Sequence, residues 1–267
     1  MAKRGKIMEA AMDGQRLSGY RIIDCHAHLG FYGIFDIPYN DPEGMLPVMD
    51  RVGIERACIS ALVAMTNDYM YGNDLVADAI KRYPKRFIGY AVLDPNHHDG
   101  METELKRCFD KLGMKAIKLH TDLHGYPIDG PNYSAVLRYA NDRRLITLIH
   151  GVGNPETLEK LSLDYPNAKI IVAHGGGWDG RAPNKYLPVV KKRANVYLDS
   201  GAGSLCYLGG VEALVREVGT DKVLYGSDFP FGDALSEMGK IIYAKIADEE
   251  KEKILGLNLL RLLEETE

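Results

Sequence analysis

Short apolar, often β-branched runs recur along the chain, each closed by polar residues or glycine and each followed by an amphipathic stretch. The runs predict strands at Tyr20–Ile23 (with Asp24-Cys25-His26-Ala27-His28 as its polar tip), Arg56–Val63, Phe87–Leu93 and Met114–His120. Four more are predicted at Leu145–His150, Lys169–His174, Asn195–Ser200 and Lys222–Asp228. Helical spacing fills the intervals at Met45–Val52, Asn73–Tyr83, Met101–Leu112, Tyr133–Arg143, Pro155–Asp164, Lys185–Lys192 and Gly210–Val218. Local signals fix some ends: Gly113 stops one helix, and Asn154-Pro155 opens another as N-cap and first helical residue. Two helices, Ala234–Ala247 and Glu249–Glu265, complete the pattern.

Eight strands alternating with helices predict an all-parallel α/β sheet, and in about 250 residues that is one (β/α)8 TIM barrel with a C-terminal helical extension. An open doubly wound sheet is the alternative, weakened because no Gly-x-Gly-x-x-Gly follows a strand and opens a helix. Residues 1–19 read as a polar leader with a short helix over Ile7–Met12, and residues 20–267 as the barrel.

In such a barrel, catalytic groups project from the C-terminal strand ends. Those ends carry His26 and His28, Lys118 and His120, His150, His174, and Asp228. Strict alternation puts Ile22, Asp24, His26 and His28 on one face, and likewise Ile170, Val172 and His174. Ile146, Leu148 and His150 share a face too, as do Leu224, Gly226 and Asp228. One His-x-His reads equally as two solvated loop histidines. Of the eight histidines, however, five fall at strand ends, which random placement would scatter over helices and loops. Nitrogen and oxygen donors converging from several strands suit a divalent transition ion, Zn²⁺ ahead of Mn²⁺ or Fe²⁺. His97, His98 and His124 read as surface residues.

Composition narrows the partners. A net charge of −4 with interspersed signs leaves no basic stripe for nucleic acid. No apolar run approaches the ~20 residues that span a membrane, and residues 8–19 lack the apolar core of a signal peptide. The scattered cysteines Cys25, Cys58, Cys108 and Cys206 suit a reduced, cytoplasmic chain. A small-molecule substrate is expected.

The segments Ile23–Leu29, Met114–His120, Leu148–His150, Val172–Gly176 and Tyr225–Pro230 resemble the amidohydrolase superfamily, in particular its amidohydrolase-related branch that includes the aminocarboxymuconate-semialdehyde decarboxylase type. The resemblance spans residues 20–263. It implies His26, His28, His150 and Asp228 as metal ligands, with His174 beside the bound water or substrate oxygen. It implies one ion per chain ahead of two, and a homo-oligomer that no sequence feature itself demonstrates. Lys118, with His120, is left between two roles: a carboxylated bridge to a second ion, or a partner for a carboxylate of the protein or substrate.

The reaction expected first is hydrolysis of an amide, ester or lactone by a metal-activated water, with Asp228 as base and His174 as polarising group. Non-oxidative decarboxylation of an aromatic or unsaturated acid is the alternative, because the ligands serve both. Tyr32, Phe35, Tyr71, Trp178 and Tyr207 are the candidate walls for a planar substrate, and Arg181 a fork for its carboxylate. Two remoter readings are a TatD-like deoxyribonuclease and a non-catalytic metal-binding protein. The first expects a glutamate near strand 4, where this chain has Lys118, and Glu-Thr-Asp at strand 8, where it has Gly226-Ser227-Asp228. The second expects a lost ligand, and none is missing.

Overall fold

The computed structural model describes residues 5–176, 185–201, 205 and 207–266. Its strands are β1 (Ile23–Leu29), β2 (Arg56–Ala61), β3 (Phe87–Val92), β4 (Ala116–His120), β5 (Ile146–His150), β6 (Lys169–Val172), β7 (Val196–Asp199) and β8 (Val223–Leu224). All pair in parallel and in sequence order, with helices on the outside, as the alternating pattern predicts for a (β/α)8 barrel. Among the described residues no helix is long and apolar enough to cross a membrane.

The interior is filled by Ile23, Cys25, Cys58, Ile88, Tyr90, Ala116, Ile146, Leu148, Ile171, Tyr197 and Leu224. Residues of the opposite phase, such as Ile59, Ile117, Leu119, Ile149, Ile170 and Val172, pack outward on the helices. The phase expected for β5 is observed, but that of β1 and β6 is not. In β1 the pairing with β2 slips between Asp24 and Ala27, so one extra residue is inserted. Ile23 and Cys25 therefore face inward, and the bulge turns His26 and His28 inward as well. In β6, Ile171 faces the interior and the strand stops at Val172. His174 enters the barrel through a left-handed backbone (φ 56°) rather than by strand alternation.

β8 is much shorter than predicted, because its continuation leaves regular geometry to close the barrel. Cys25 N–H donates to Tyr225 O (2.9 Å), Asp228 N–H to His26 O (2.8 Å) and His28 N–H to Phe229 O (2.7 Å). The C-terminal helix expected over Glu249–Glu265 is present and runs without a break through Asp248–Glu252, a π-helical turn Lys253–Leu257, and Asn258–Glu264. Leu259 and Leu262 plug the lower end of the interior, and Asn258 Nδ2 donates to Thr220 O and Val223 O, 2.9 Å each. The leader helix Lys6–Met12 packs with Ile7 fully buried.

Gly256 sits in the π turn against the backbone entering β1, and a Cβ there would collide with the Arg21 carbonyl oxygen. Backbone cannot yield as a flexible side chain can, so Gly256→Ala is expected to destabilise the fold by about 1–3 kcal/mol. A lowered urea midpoint with an unchanged slope would show this; an unchanged midpoint would contradict the close approach.

Candidate metal centre and cavity

The site is built where β1 meets the stretch after β8. His26 Nδ1 lies 2.9 Å from Asp199 Oδ2, so this nitrogen donates its hydrogen to the carboxylate and Nε2 faces inward with its lone pair. His28 Nδ1 is 2.9 Å from Ser60 Oγ at the end of β2. The two Nε2 atoms are 3.1 Å apart, and Asp228 Oδ1 is 3.0 Å from that of His28 and 3.4 Å from that of His26. Two imidazole nitrogens and a carboxylate oxygen at these separations form a triangle of electron-rich atoms. Bonds of about 2.0–2.2 Å to one ion separate cis ligands by about 3.0–3.5 Å, so the triangle fits a divalent cation.

The backbone beneath it is held by another buried carboxylate. Asp24 accepts hydrogen bonds from the backbone N–H groups of His26 (2.9 Å) and Ser227 (3.0 Å) and from the Ser227 hydroxyl. Asp228 adopts a left-handed conformation (φ 58°), as does His174. Such geometry costs a non-glycine residue on the order of 1–3 kcal/mol and persists only where surrounding contacts impose it.

Burial sets the protonation pattern. It lowers His26 far below its usual range and lowers His28, and it brings His150 and His174 down to about 4. His120 is driven well below the imidazole range by burial and the nearby Lys118 ammonium. The Asp228 carboxyl is pushed up by burial, but the His28 hydrogen bond and the surrounding imidazoles outweigh this and hold it below the usual carboxylate range. Asp24 is raised to about 7 by burial. Lys118, fully buried, is lowered to about 8, and its Nζ lies 2.7 Å from His26 Nε2.

A cavity of about 290 Å³ opens over the triangle. Its polar floor is His26, His28, Asp228, Lys118, His120, His150 and His174, and its walls are Tyr32, Phe35, Leu62, Met65, Leu123 and Phe231. Tyr32, Phe35 and Phe231 meet edge to face with centroids 5.0–5.8 Å apart. A larger hollow, about 690 Å³, lies at the opposite end of the strands against Arg56, Gly89 and Lys115. Among the described residues, every cluster of potential metal ligands lies at the upper end, so the smaller cavity is the functional candidate.

The strand-end residues expected at the centre do converge on this cavity, but not all into one ligand group. His150 stands apart from the triangle, its ring stacked on His120 at 4.0 Å and its Nδ1 3.1 Å from Asp122 Oδ2. His120 Nδ1 accepts the Leu123 N–H at 3.2 Å, which leaves its Nε2 to carry the hydrogen when the ring is neutral. Tyr32 and Phe35 line the cavity as expected. Tyr71 and Tyr207 are exposed and do not line it, and Trp178 and Arg181 lie outside the described residues. His124 is buried against Tyr133 Oη (2.8 Å) instead of lying at the surface. Asp199, Ser60 and Phe231 belong to the site without having been expected there. Asp199 was legible as a polar residue near the end of an apolar strand; Ser60, inside the run Arg56–Val63, and Phe231 carried no such signal.

With this geometry in place, comparison with known proteins identifies the family. The amidohydrolase family model matches residues 23–264, and the chain belongs to that family. A curated relative, the 2-amino-3-carboxymuconate-6-semialdehyde decarboxylase of Dictyostelium discoideum, is 27% identical, over 84% of this chain and 76% of its own length. The 2,6-dihydroxybenzoate decarboxylase from Rhizobium superposes with a TM-score of 0.74 at 17% identity, covering 92% of this chain and 99% of that one. The 5-carboxyvanillate decarboxylase from Novosphingobium aromaticivorans, solved with manganese, gives a TM-score of 0.75 at 17% identity, covering 93% and 97%. These relatives are decarboxylases, and the expectation of amide, ester or lactone hydrolysis is corrected on that finding.

The neutral imidazoles make stability depend on pH. Between about 6.5 and 4 the unfolded chain protonates His150 and His174 while the folded chain does not, so each adds up to about 1.4 kcal/mol of stability per pH unit as pH rises. His26, His28 and His120 act in the same direction, and Asp24, protonated in the fold up to about 7, opposes them with one proton. The ion-free protein is therefore expected to lose stability as pH falls through this window. Urea midpoints in chelator from pH 7 to 4.5 test it, and a flat or rising midpoint on acidification would contradict the buried neutral set.

Proposed function

We propose that this member of the amidohydrolase family is a divalent-metal-dependent, non-oxidative decarboxylase of a small planar aromatic or unsaturated carboxylic acid. The observation that carries this reading is the joining of the His26–His28–Asp228 triangle to an apolar, aromatic-walled cavity of about 290 Å³, room enough for one substituted ring. The decarboxylase activities for which the relatives are named support it. His26, His28 and Asp228 would hold one ion per chain, and His150, which now stands beside His120 and Asp122, would have to turn toward them to serve as the further ligand the resemblance implies. Manganese in the Novosphingobium structure puts Mn²⁺ beside Zn²⁺ as a candidate. When bound, such an ion supplies positive charge that orients the acid's oxygens and stabilises negative charge developing on them.

The protein's own groups account for the rest. Tyr32, Phe35, Phe231, Leu62 and Met65 hold the planar body and exclude water, which favours a reacting carboxylate whose charge is dispersing. The Lys118 ammonium is buried beside the ligands, and such a cation needs an anionic partner. It is placed to receive the substrate carboxylate. His120, with hydrogen on Nε2, can donate to a neighbouring substrate oxygen. The C–C bond to the carboxylate breaks, CO₂ departs, and the electron pair left on carbon takes a proton. His174, stacked 4.9 Å from His26 and edge-on to His150 at 4.9 Å, is the group placed to deliver that proton. Because burial keeps His174 neutral at rest, it passes on its ring N–H proton while taking one from solvent, so one proton is consumed per turnover.

The test supplies Mn²⁺ or Zn²⁺ to the full chain and follows CO₂ release from 2,6-dihydroxybenzoate, 5-carboxyvanillate and 2-amino-3-carboxymuconate-6-semialdehyde. At least one is expected to lose CO₂ at a rate proportional to bound ion. His28→Ala should lower ion affinity and activity by more than about 100-fold, since even outer partners of metal ligands are worth about 10–100-fold. Stoichiometric ion without CO₂ release from any of the three would overturn the reading.

A further inference from the structure

Asp199 is the last residue of β7, fully buried, and no role as a ligand was expected of it. Its two oxygens are divided between two different parts of the site. Oδ2 accepts from His26 Nδ1 at 2.9 Å, and Oδ1 accepts the backbone N–H groups of His174 and Gly201, each at 2.9 Å. One carboxylate thus fixes the ring of a β1 histidine and the left-handed turn that carries His174 into the cavity. Gly226 makes the approach feasible: a Cβ there would lie 3.0 Å from His26 Cβ and 3.1 Å from Asp199 Cβ, tight against both.

We infer that Asp199 is the positioning residue of the centre, holding His26 with hydrogen on Nδ1 so that its Nε2 lone pair faces the ion, and fixing His174 over the same point. The inference rests on the metal-dependent reading above and deepens it. The logic is one of donors and acceptors. A carboxylate can only accept, so His26 Nδ1 must donate and Nε2 stays free to ligate. An asparagine can keep Oδ1 on the two backbone N–H groups, but its amide nitrogen can only donate to His26 Nδ1. That forces hydrogen onto Nε2 and removes a ligand. Asp199→Asn therefore separates positioning from simple packing, because shape and backbone hydrogen bonds are retained while the tautomer is reversed.

The experiment measures Mn²⁺ and Zn²⁺ affinity and stoichiometry of the full-length wild type and of Asp199→Asn, together with urea midpoints in chelator. Separately, ¹⁵N spectra of histidine-labelled, ion-free wild type report the His26 tautomer, assigned by its loss in His26→Gln. This second measurement stands even if the variant fails to fold. Expected are a wild-type His26 with hydrogen on Nδ1, and about 10–100-fold weaker ion binding in Asp199→Asn at a little-changed midpoint. Equal affinity in the variant, or hydrogen on Nε2 in wild type, would overturn the inference while leaving the metal centre intact. Two ions in wild type falling to one in the variant would overturn it by making Asp199 itself a ligand, as its grouping with His26 and His174 allows. Wild type that binds no ion would overturn the metal-dependent reading itself.

Discussion

Closure of the barrel and assembly of the centre are one event. The sheet's last seam is made by three backbone hydrogen bonds between Cys25–His28 and Tyr225–Phe229, and those segments carry His26, His28 and Asp228. Asp24 binds the two sides together by accepting from His26 N–H, Ser227 N–H and the Ser227 hydroxyl. A regular eighth strand would have continued the ladder and sent alternate side chains to either face. Ending β8 at Leu224 lets the chain turn left-handed at Asp228 and bring its carboxylate within 3.0 Å of His28 Nε2. The irregularity that shortens the strand is what positions the ligand.

The same dependence explains what could be read from sequence. Apolar runs and helical spacing report burial, which the barrel imposes periodically, so the order of strands and helices was legible. So was the crowding of histidines at strand ends, because polar tips on apolar runs stand out. Bulges and left-handed turns leave no such trace. The β1 slip between Asp24 and Ala27 changes which residues face inward without changing a single residue type. His174 reached its expected place by a route that strict alternation on β6 would have denied it, since Ile171 rather than Ile170 faces the interior. Asp199 sat near a strand end in plain view, whereas Ser60 was hidden inside the run Arg56–Val63. An aspartate that meets a histidine ring through Nδ1 carries no spacing signal of its own, because its partner lies 173 residues away. The walls were partly legible: Tyr32 and Phe35 lie in the loop after β1, whereas Phe231 is aromatic residue among many until the chain is folded.

Electrostatics makes the centre a place for a cation. Burial keeps His26, His28, His120, His150 and His174 neutral, while Asp228 is held ionised. His26 Nε2 presents a lone pair 3.1 Å from His28 Nε2, whose hydrogen the Asp228 carboxylate can accept at 3.0 Å; once that hydrogen leaves, the three atoms demand positive charge among them. Lys118 meets part of that demand by approaching His26 Nε2 at 2.7 Å. On the proposed reading, an ion held by that lone pair would release the ammonium to pair with a substrate carboxylate, which would couple filling of the ligand triangle to recognition of an acid through one lysine.

Ligands alone do not select a reaction, since the same triangle can serve addition of water or departure of CO₂. The surroundings distinguish them. Attack by water needs a polar path for that water, whereas CO₂ loss needs no water, only a seat for the acid and a proton for the carbon left behind. Above the triangle lie Leu62, Met65, Leu123 and three edge-to-face aromatic rings, walls that offer a planar body contact and offer water few partners. The polar groups are confined to the floor, where one end of the substrate can be charged and the rest cannot. That division of one small cavity into an ionic floor and an apolar wall is the physical feature on which the proposed decarboxylation of a planar acid rests, on a scaffold whose ligands leave the chemistry open.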